Sequence, residues 1–212
     1  DFGGRAFPAY EAGTRKDCDP TDATCASDWD GHGTHCAGTV GGTKVGVAKD
    51  AILHAVRIFF PNASGADSMA GFDFVLRKTQ LRPAVVSASF GSTVPYYSQI
   101  QEDVVNKLAN AGITVVTSAG NNALKPDAPW GDPPSSPYAC MKPPSNIPAT
   151  FTVGSTNPPN DKNIDTRSRF SSIDSLRPGF QACVNIFAPG GGVLSLSNKS
   201  NTGTKKSSGT SM

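Results

Sequence analysis

Between residues 51 and 119 the apolar pattern switches between strand-like runs and helical spacing four times, and this constrains the fold more than any other feature of the chain. Residues 51–60 (AILHAVRIFF) form a mostly apolar run of strand length, closed by Pro61-Asn62, and read as a buried parallel strand. Met69, Phe72, Val75, Leu76 and Thr79 then recur at helical spacing, which predicts a helix over 67–80. Pro83 separates that helix from a second strand over 84–90. Ile100, Val104, Val105, Leu108 and Ala111 mark a second helix over 98–111, with Gly112 as its cap. A third strand, 113–119, runs straight into Gly120-Asn121. Strand, helix, strand, helix, strand at these lengths requires right-handed crossovers, and so an α/β fold with a parallel sheet. The carboxyl ends of such strands hold the site, and both Ser89-Phe90-Gly91 and Ala119-Gly120-Asn121 fall there.

The flanking sequence is less regular. Residues 1–29 read as a turn-rich polar surface loop, tied by a short disulfide between Cys18 and Cys25. The small residues of 32–40 suit a tightly packed helix whose first turn carries His32 and which Gly41-Gly42 ends. Eight of the 17 prolines lie between Pro126 and Pro148, which marks a long irregular loop rather than a linker. Short strands are expected at 151–154, 184–188 and 193–196, and no internal repeat is visible.

At 212 residues the chain suits one domain with a substantial core. Charged residues are only 17% and the net charge is +2, with no basic run beyond Lys205-Lys206, so nucleic acid is not an expected partner. No apolar run approaches the roughly 18 residues that span a bilayer, so a membrane is not expected either. The sequence begins at Asp1, without a methionine or a signal peptide, as if something had been removed from in front of it. Five cysteines without a C-x-x-C pair fit two disulfides and one free thiol, with Cys36 the natural odd one. Disulfides point to an extracellular location. The sequons Asn62-Ala-Ser64 and Asn198-Lys-Ser200 agree with secretion.

Three short stretches carry chemistry: Asp30-Gly-His32-Gly-Thr-His35-Cys36-Ala-Gly-Thr-Val40, Thr117-Ser-Ala-Gly-Asn121-Asn122 and Ser208-Gly-Thr-Ser211-Met212. A serine hydroxyl becomes a useful nucleophile only when an imidazole takes its proton and a carboxylate orients that imidazole. Ser211 and His32 are the candidate nucleophile and base, and the Asn121 amide is a candidate donor to a developing oxyanion. Each stretch also has a plain structural reading: an ordinary loop for Ser-Gly-Thr-Ser, a capping or metal pair for His32 and His35, and a strand-end turn for Gly-Asn-Asn. The metal reading lacks both a Glu after His32 and a third ligand. His54, alone in an apolar strand, reads as a core residue.

Taken in order, GHGTHCAGTV, VVTSAGNN and SGTSM resemble the blocks of subtilisin-like serine proteases, and HGTHCAGT with its cysteine is most similar to the proteinase K branch. GVAKDAILHAVRI, AGFDFV, SASFG, TVGSTN and NIFAPGGGVLS are similar to further blocks in the same order, so the resemblance covers nearly the whole chain. It implies a three-layer α/β sandwich and a serine endopeptidase, with His32 as base, Asn121 in the oxyanion hole and an acyl-enzyme on Ser211. It implies extended polypeptide substrates between Ser89-Phe90-Gly91 and a second rim at Ser64-Gly65-Ala66, with a propeptide as a further partner of a monomer. Ser118-Ala119-Gly120 would wall the pocket for the residue before the scissile bond, with room for a large apolar side chain. A disulfide between Cys140 and Cys183 is also implied.

The departures from the family matter equally. The family's triad aspartate, in an Asp-Thr-Gly-like strand end, has no match here. Asp1 resembles a position after that strand, and Asp30 a position without a triad role. The Ala-Thr-Pro-His helix that follows the family's nucleophile is also absent from the sequence, so the chain is expected to be a single partial peptidase domain, truncated at both ends, inactive by itself and frayed at Ser211. A family calcium site would use carbonyls near Pro148 and Thr150 with a carboxylate where this chain has Asn185, a weaker ligand, so no metal or other cofactor is expected. The alternative to an enzyme is a catalytically silent binding or inhibitory domain of the same fold. A different serine-hydrolase fold would need a G-x-S-x-G elbow, which the sequence lacks.

Overall fold

The computed structural model describes residues 1–59, 64–78, 82–123, 138–158, 166–174 and 182–212. The sequon at Asn62, the end of the second predicted element and most of the proline-rich segment lie outside them. Two compact units are present, Asp1–Gln80 with Leu194–Lys206, and Leu81–Val193 with Ser207–Met212.

In the first unit, β1 (Ala6–Glu11) lies between β2 (Lys16–Asp17) and β3 (Leu53–Arg57), antiparallel to the first and parallel to the second. The sequence reads here as a turn-rich polar loop; the structure instead makes AFPAYE a strand, although Pro8 is a poor strand residue. The structure absorbs the proline at a register shift between Pro8 and Tyr10, which bulges the strand where the ladder donor is missing. Past the bulge, β1 supplies Ala9 and Tyr10 to a core completed by Ala12 and Phe74, with Val56, Ile58, Ala70 and Val75 packed against it. The Tyr10 and Phe74 rings stack 4.6 Å apart. β3 is parallel, as expected, but not buried: it is the edge of its sheet, and its residues are half-buried or exposed. His54 is correspondingly exposed, 6.3 Å from the Phe7 ring, rather than a core residue.

Helix α1 (His32–Gly41) begins on His32, as its small residues predict, and α2 (Gly65–Arg77) begins two residues earlier than the 67–80 expected from its apolar stripe. Ser64 is the reason for the earlier start: its hydroxyl oxygen accepts from the Asp67 N–H at 3.1 Å, an N-cap bond. The Cys18–Cys25 disulfide forms, and its loop is anchored by Glu11, which accepts from Ala26 N and from the Arg57 guanidinium at 2.6 Å. Arg57 in turn lies over the Trp29 ring.

In the second unit, β4 (Val85–Ala88), β5 (Thr114–Ser118), β6 (Thr150–Thr156) and β7 (Val184–Pro189) lie in sequence order, every neighbouring pair parallel. The crossover helix α3 (Gln99–Asn110) is capped by Ser98 and buries Val105 and Leu108 completely. Burial of such a side chain contributes roughly 1.5–3 kcal/mol. The second disulfide, Cys140–Cys183, joins a 3-10 turn at Ala139–Met141 to the start of β7. With Cys36 in neither bridge, this matches the cysteine pattern expected from sequence.

Strand β8 (Val193–Leu196) pairs with β9 (Thr204–Ser207), whose sequence TKKS gives no apolar signal. Its place is fixed by a buried histidine instead. His35 is fully buried and bonds the Lys205 carbonyl through Nε2 at 3.2 Å, while its own carbonyl accepts from Ser195 Oγ at 2.8 Å. A carbonyl only accepts, so Nε2 carries the proton. The second sequon is engaged too, because Asn198 Nδ2 donates to Asp28 O at 3.0 Å. No helix of the described residues is long and apolar enough to cross a membrane.

Candidate active site

The last five residues cross the carboxyl ends of three parallel strands. Ser208 Oγ accepts from Gly192 N at 2.8 Å, and Gly209 N donates to Gly190 O at 2.9 Å, just beyond β7. A side chain at Gly190 would place its Cβ 2.5 Å from Gly209 O, so that close approach requires glycine. Thr210 Oγ1 accepts from Gly120 N at 3.0 Å, beyond β5. Ser211 is joined twice to Ser89, beyond β4: its carbonyl accepts from Ser89 Oγ at 3.0 Å, and its hydroxyl donates to Ser89 O at 3.3 Å. The segment expected to fray is therefore tied at each of four successive residues.

The same turn orients Asn121. Thr210 N, which can only donate, lies 2.9 Å from Oδ1, and the Thr210 hydroxyl lies 3.0 Å from it. The backbone N–H fixes which end of the amide is oxygen and leaves Nδ2 as the end that can donate elsewhere. Ser211, Asn121, Phe90, Gly91, Ser118, Ala119 and Gly120 line one cleft of about 230 Å³. Ser89 is bonded to Ser211 at its edge. Of the candidate site residues, the structure thus gathers Ser211, Asn121, Phe90, Gly91, Ser118, Ala119 and Gly120 at one cleft, with Ser89 bonded to Ser211.

Of the lining residues to which the sequence analysis gives no role, Thr210 and Lys142 make the bonds that shape the site. Thr210, inside the serine motif, is the link between Gly120 and Asn121 described above. Lys142 is only 2% exposed, yet its ammonium donates to Asn122 Oδ1 at 2.9 Å and to Ser172 Oγ at 3.4 Å. Burial pulls its pKa down to about 8. No sequence signal marks it, since a lysine in a proline-rich stretch reads as solvated.

In the first unit, His32 opens α1, half-buried, with Nε2 3.7 Å from Cys36 Sγ one helical turn on. The helix start is built by carboxylates. Asp28 Oδ1 accepts from Gly31 N at 2.8 Å, and its Oδ2 accepts from Thr34 N and Oγ1 at 2.6 and 2.7 Å. Burial works against the Asp28 charge, but these bonds outweigh it and lower its pKa. Asp30 Oδ1 accepts from the His32 backbone N–H at 3.1 Å, not from the ring. Asp1 is tied to Thr43 and Lys44, beyond the far end of the ten-residue α1, about 15 Å along the axis from His32. Ser64, Gly65 and Ala66 form the exposed first turn of α2.

Metal chemistry finds little support in these side chains. His35 is committed to Lys205, away from any pairing with His32. Asn185 Oδ1 accepts from Thr152 N at 2.7 Å, at the register shift between β6 and β7. That neutral oxygen closes a gap in the ladder, and it does not fit the carboxylate role in a calcium site. Among the described residues the cluster with metal-like spacing is Cys140, Asp174 and Cys183, where the two sulfurs are bonded to each other. Asp174 accepts from the N–H groups of Cys183 and Val184.

A serine turn laid across the carboxyl ends of a parallel sheet, with an oriented amide beside it, defines an α/β protein whose site has the makings of acyl-transfer chemistry. The subtilase family model matches residues 6–212, and the chain belongs to that family. It is 36% identical to "Extracellular serine proteinase" of Thermus sp. (strain Rt41A) over 214 residues, covering 100% of this chain and 43% of that protein. It is 34% identical to "Alkaline protease 1" of Aspergillus flavus over 217 residues (100% and 45%), and 31% identical to "Proprotein convertase subtilisin/kexin type 9" of Rattus norvegicus over 188 residues (88% and 24%). The chain thus spans less than half the length of each of these curated relatives.

Proposed function

We propose that the protein carrying this chain is a secreted serine endopeptidase, acting through an acyl-enzyme on Ser211. The observation that carries the reading is the single turn in which Thr210 fixes Asn121 and is followed directly by Ser211. In this reading His32 takes the Ser211 proton as Oγ bonds the scissile carbonyl carbon, and Asn121 Nδ2 donates to the oxyanion that forms. His32 then returns the proton to the leaving amine as the C–N bond breaks, and a water repeats the sequence to free the acid. The existing Ser211–Ser89 hydroxyl bond, at 3.3 Å, is long and is readily exchanged for a base.

Substrate would add as an extended strand. Among the described residues Gly91 makes no hydrogen bond, which leaves its peptide groups to a substrate backbone, and Ser64-Gly65-Ala66 supplies the second rim. Ser118-Ala119-Gly120 walls the side-chain pocket. A propeptide would occupy the same edge. The two disulfides and the extracellular naming of a relative support secretion.

Within its own unit no described carboxylate bonds the His32 ring, and loss of the orienting carboxylate lowers turnover by on the order of 10^4 in serine-protease triads. We therefore read residues 1–212 as one partial catalytic domain that turns over little substrate alone. The test is fluorophosphonate labelling of the full-length protein with the adduct mapped by mass. Label on Ser211 that disappears in His32→Ala is expected. A full-length protein that folds, binds peptide and takes no label would instead be a binding domain.

A further inference from the structure

The sequon at Asn198 has no part in the chemistry above, yet the structure places its asparagine beside the start of α1. Asn198 is half-buried on the turn between β8 and β9, which Ser197 N closes by donating to Gly203 O at 2.8 Å. Its Nδ2 donates to Asp28 O at 3.0 Å, and the rest of the amide sits against Gly31. A Cβ at Gly31 would lie 2.5 Å from Asn198 Oδ1 and 2.8 Å from its Cγ. Gly31 also has φ +94, so glycine serves both the left-handed backbone and this close approach. His32 follows it directly.

The same hairpin holds α1 further along, inside the same unit. Ser195 Oγ donates to His35 O, His35 Nε2 donates to Lys205 O, and a Cβ at Gly38 would lie 2.5 Å from Ser195 Oγ. Those contacts fix the body of the helix. Its first residue depends on the approach through 28–31, where the Asp28 carboxylate binds Gly31 and Thr34 while the Asp28 carbonyl binds Asn198. Asn198 therefore closes that loop from the hairpin side. Misplacement of a catalytic group by about 1 Å can cost on the order of a hundredfold in rate, so a bond this near the base bears on turnover.

We propose that Asn198 is a positioning residue for His32, holding the 28–31 loop and with it the direction in which the ring leaves the helix. The inference rests on the endopeptidase reading, in which His32 is the base. The test uses the full-length protein and follows the rate at which a fluorophosphonate labels Ser211. Asn198→Leu keeps the size of the side chain and removes the donor, and it is expected to label about tenfold more slowly than the native protein. Asn198→Ala carries the same expectation, should the leucine variant not fold. Ser200→Ala destroys the sequon and leaves the Asn198 amide, so it should label at the native rate. With His32→Ala in place, adding Asn198→Leu should change the residual hydrolysis of p-nitrophenyl acetate by about twofold or less, since no ring is left to position.

Native labelling rates in the Asn198 variants overturn the proposal. Slow labelling of Ser200→Ala overturns it too, by assigning the effect to a glycan, and a further large loss on the His32→Ala background would show that Asn198 acts on the fold at large. Each of these outcomes leaves the endopeptidase reading standing. A native protein that takes no label refutes that reading, and the inference falls with it.

Discussion

At the scale of single residues, Thr210 shows how a motif carries more than its nucleophile. Its hydroxyl accepts from Gly120 N and donates to Asn121 Oδ1, and its backbone N–H donates to the same oxygen. Thr210→Val keeps the shape and the backbone bond but removes the hydroxyl, leaving Gly120 N without its acceptor and Asn121 with one restraint fewer. If Asn121 serves the oxyanion as proposed, the expected result is a fall in kcat of about ten- to a hundredfold with KM nearly unchanged, since the amide would then act on the oxyanion and not on bound substrate. Thr210→Ser should restore most of the loss. Steady-state kinetics on one peptide substrate decides it, and a change confined to KM would contradict the assignment. Ser211 and Asn121 were legible in the sequence because short motifs fix residue types at strand ends. Thr210 was quoted without a role, and Lys142 not at all, because which side chains converge on them depends on tertiary placement.

At the scale of elements, legibility followed local pattern. Helices α1 and α3 and strands β4 to β7 were found where apolar spacing, caps and glycines agree. β1 was missed because Pro8 contradicts a strand locally, and β9 because TKKS carries no buried face; β1 is placed by β3, far along the chain, and β9 by the neighbouring β8 and by His35. The start of α1 belongs to neither case. It depends on Asp28, three residues before the N-cap Gly31, whose carboxylate takes three bonds from Gly31 and Thr34. Asp28→Ala should cost about 1 kcal/mol, as loss of a helix-capping acceptor does. The sign of its pH dependence follows from the lowered pKa. The unfolded carboxyl protonates first on acidification, so the carboxylate's contribution is complete above its unfolded value near 4 and is lost as pH falls through the folded value. The stability gap between the native chain and Asp28→Ala should therefore be full at pH 6 and shrink below pH 4 in urea unfolding. A gap that widened on acidification would rule out the carboxylate as the source.

At the scale of the whole molecule, the two cross-links differ in the length of chain that each closes. Among the described residues the first unit's core cluster has four buried members, two of them alanines, so loss of a cross-link there should register clearly. Each unit holds one disulfide. Cys18–Cys25 closes a separation of seven residues, and Cys140–Cys183 one of 43. Chain entropy of the unfolded state grows with the loop closed, which puts the short bridge at about 2 kcal/mol and the long one at about 4 kcal/mol. The paired variants Cys18→Ser with Cys25→Ser, and Cys140→Ser with Cys183→Ser, should lose stability in that order, measured by urea unfolding with Ser211→Ala in the background to prevent self-digestion. The long bridge has a local ally, because Asp174 receives the N–H groups of Cys183 and Val184 at the start of β7 whether or not the sulfurs are joined. That anchor should keep β7 in register after reduction, so the Cys140 and Cys183 variant is expected to fold with a native far-UV spectrum and a lower unfolding midpoint. A greater loss from the seven-residue bridge would mean that contacts of the 18–29 loop, and not the length of chain closed, set the contribution of each disulfide.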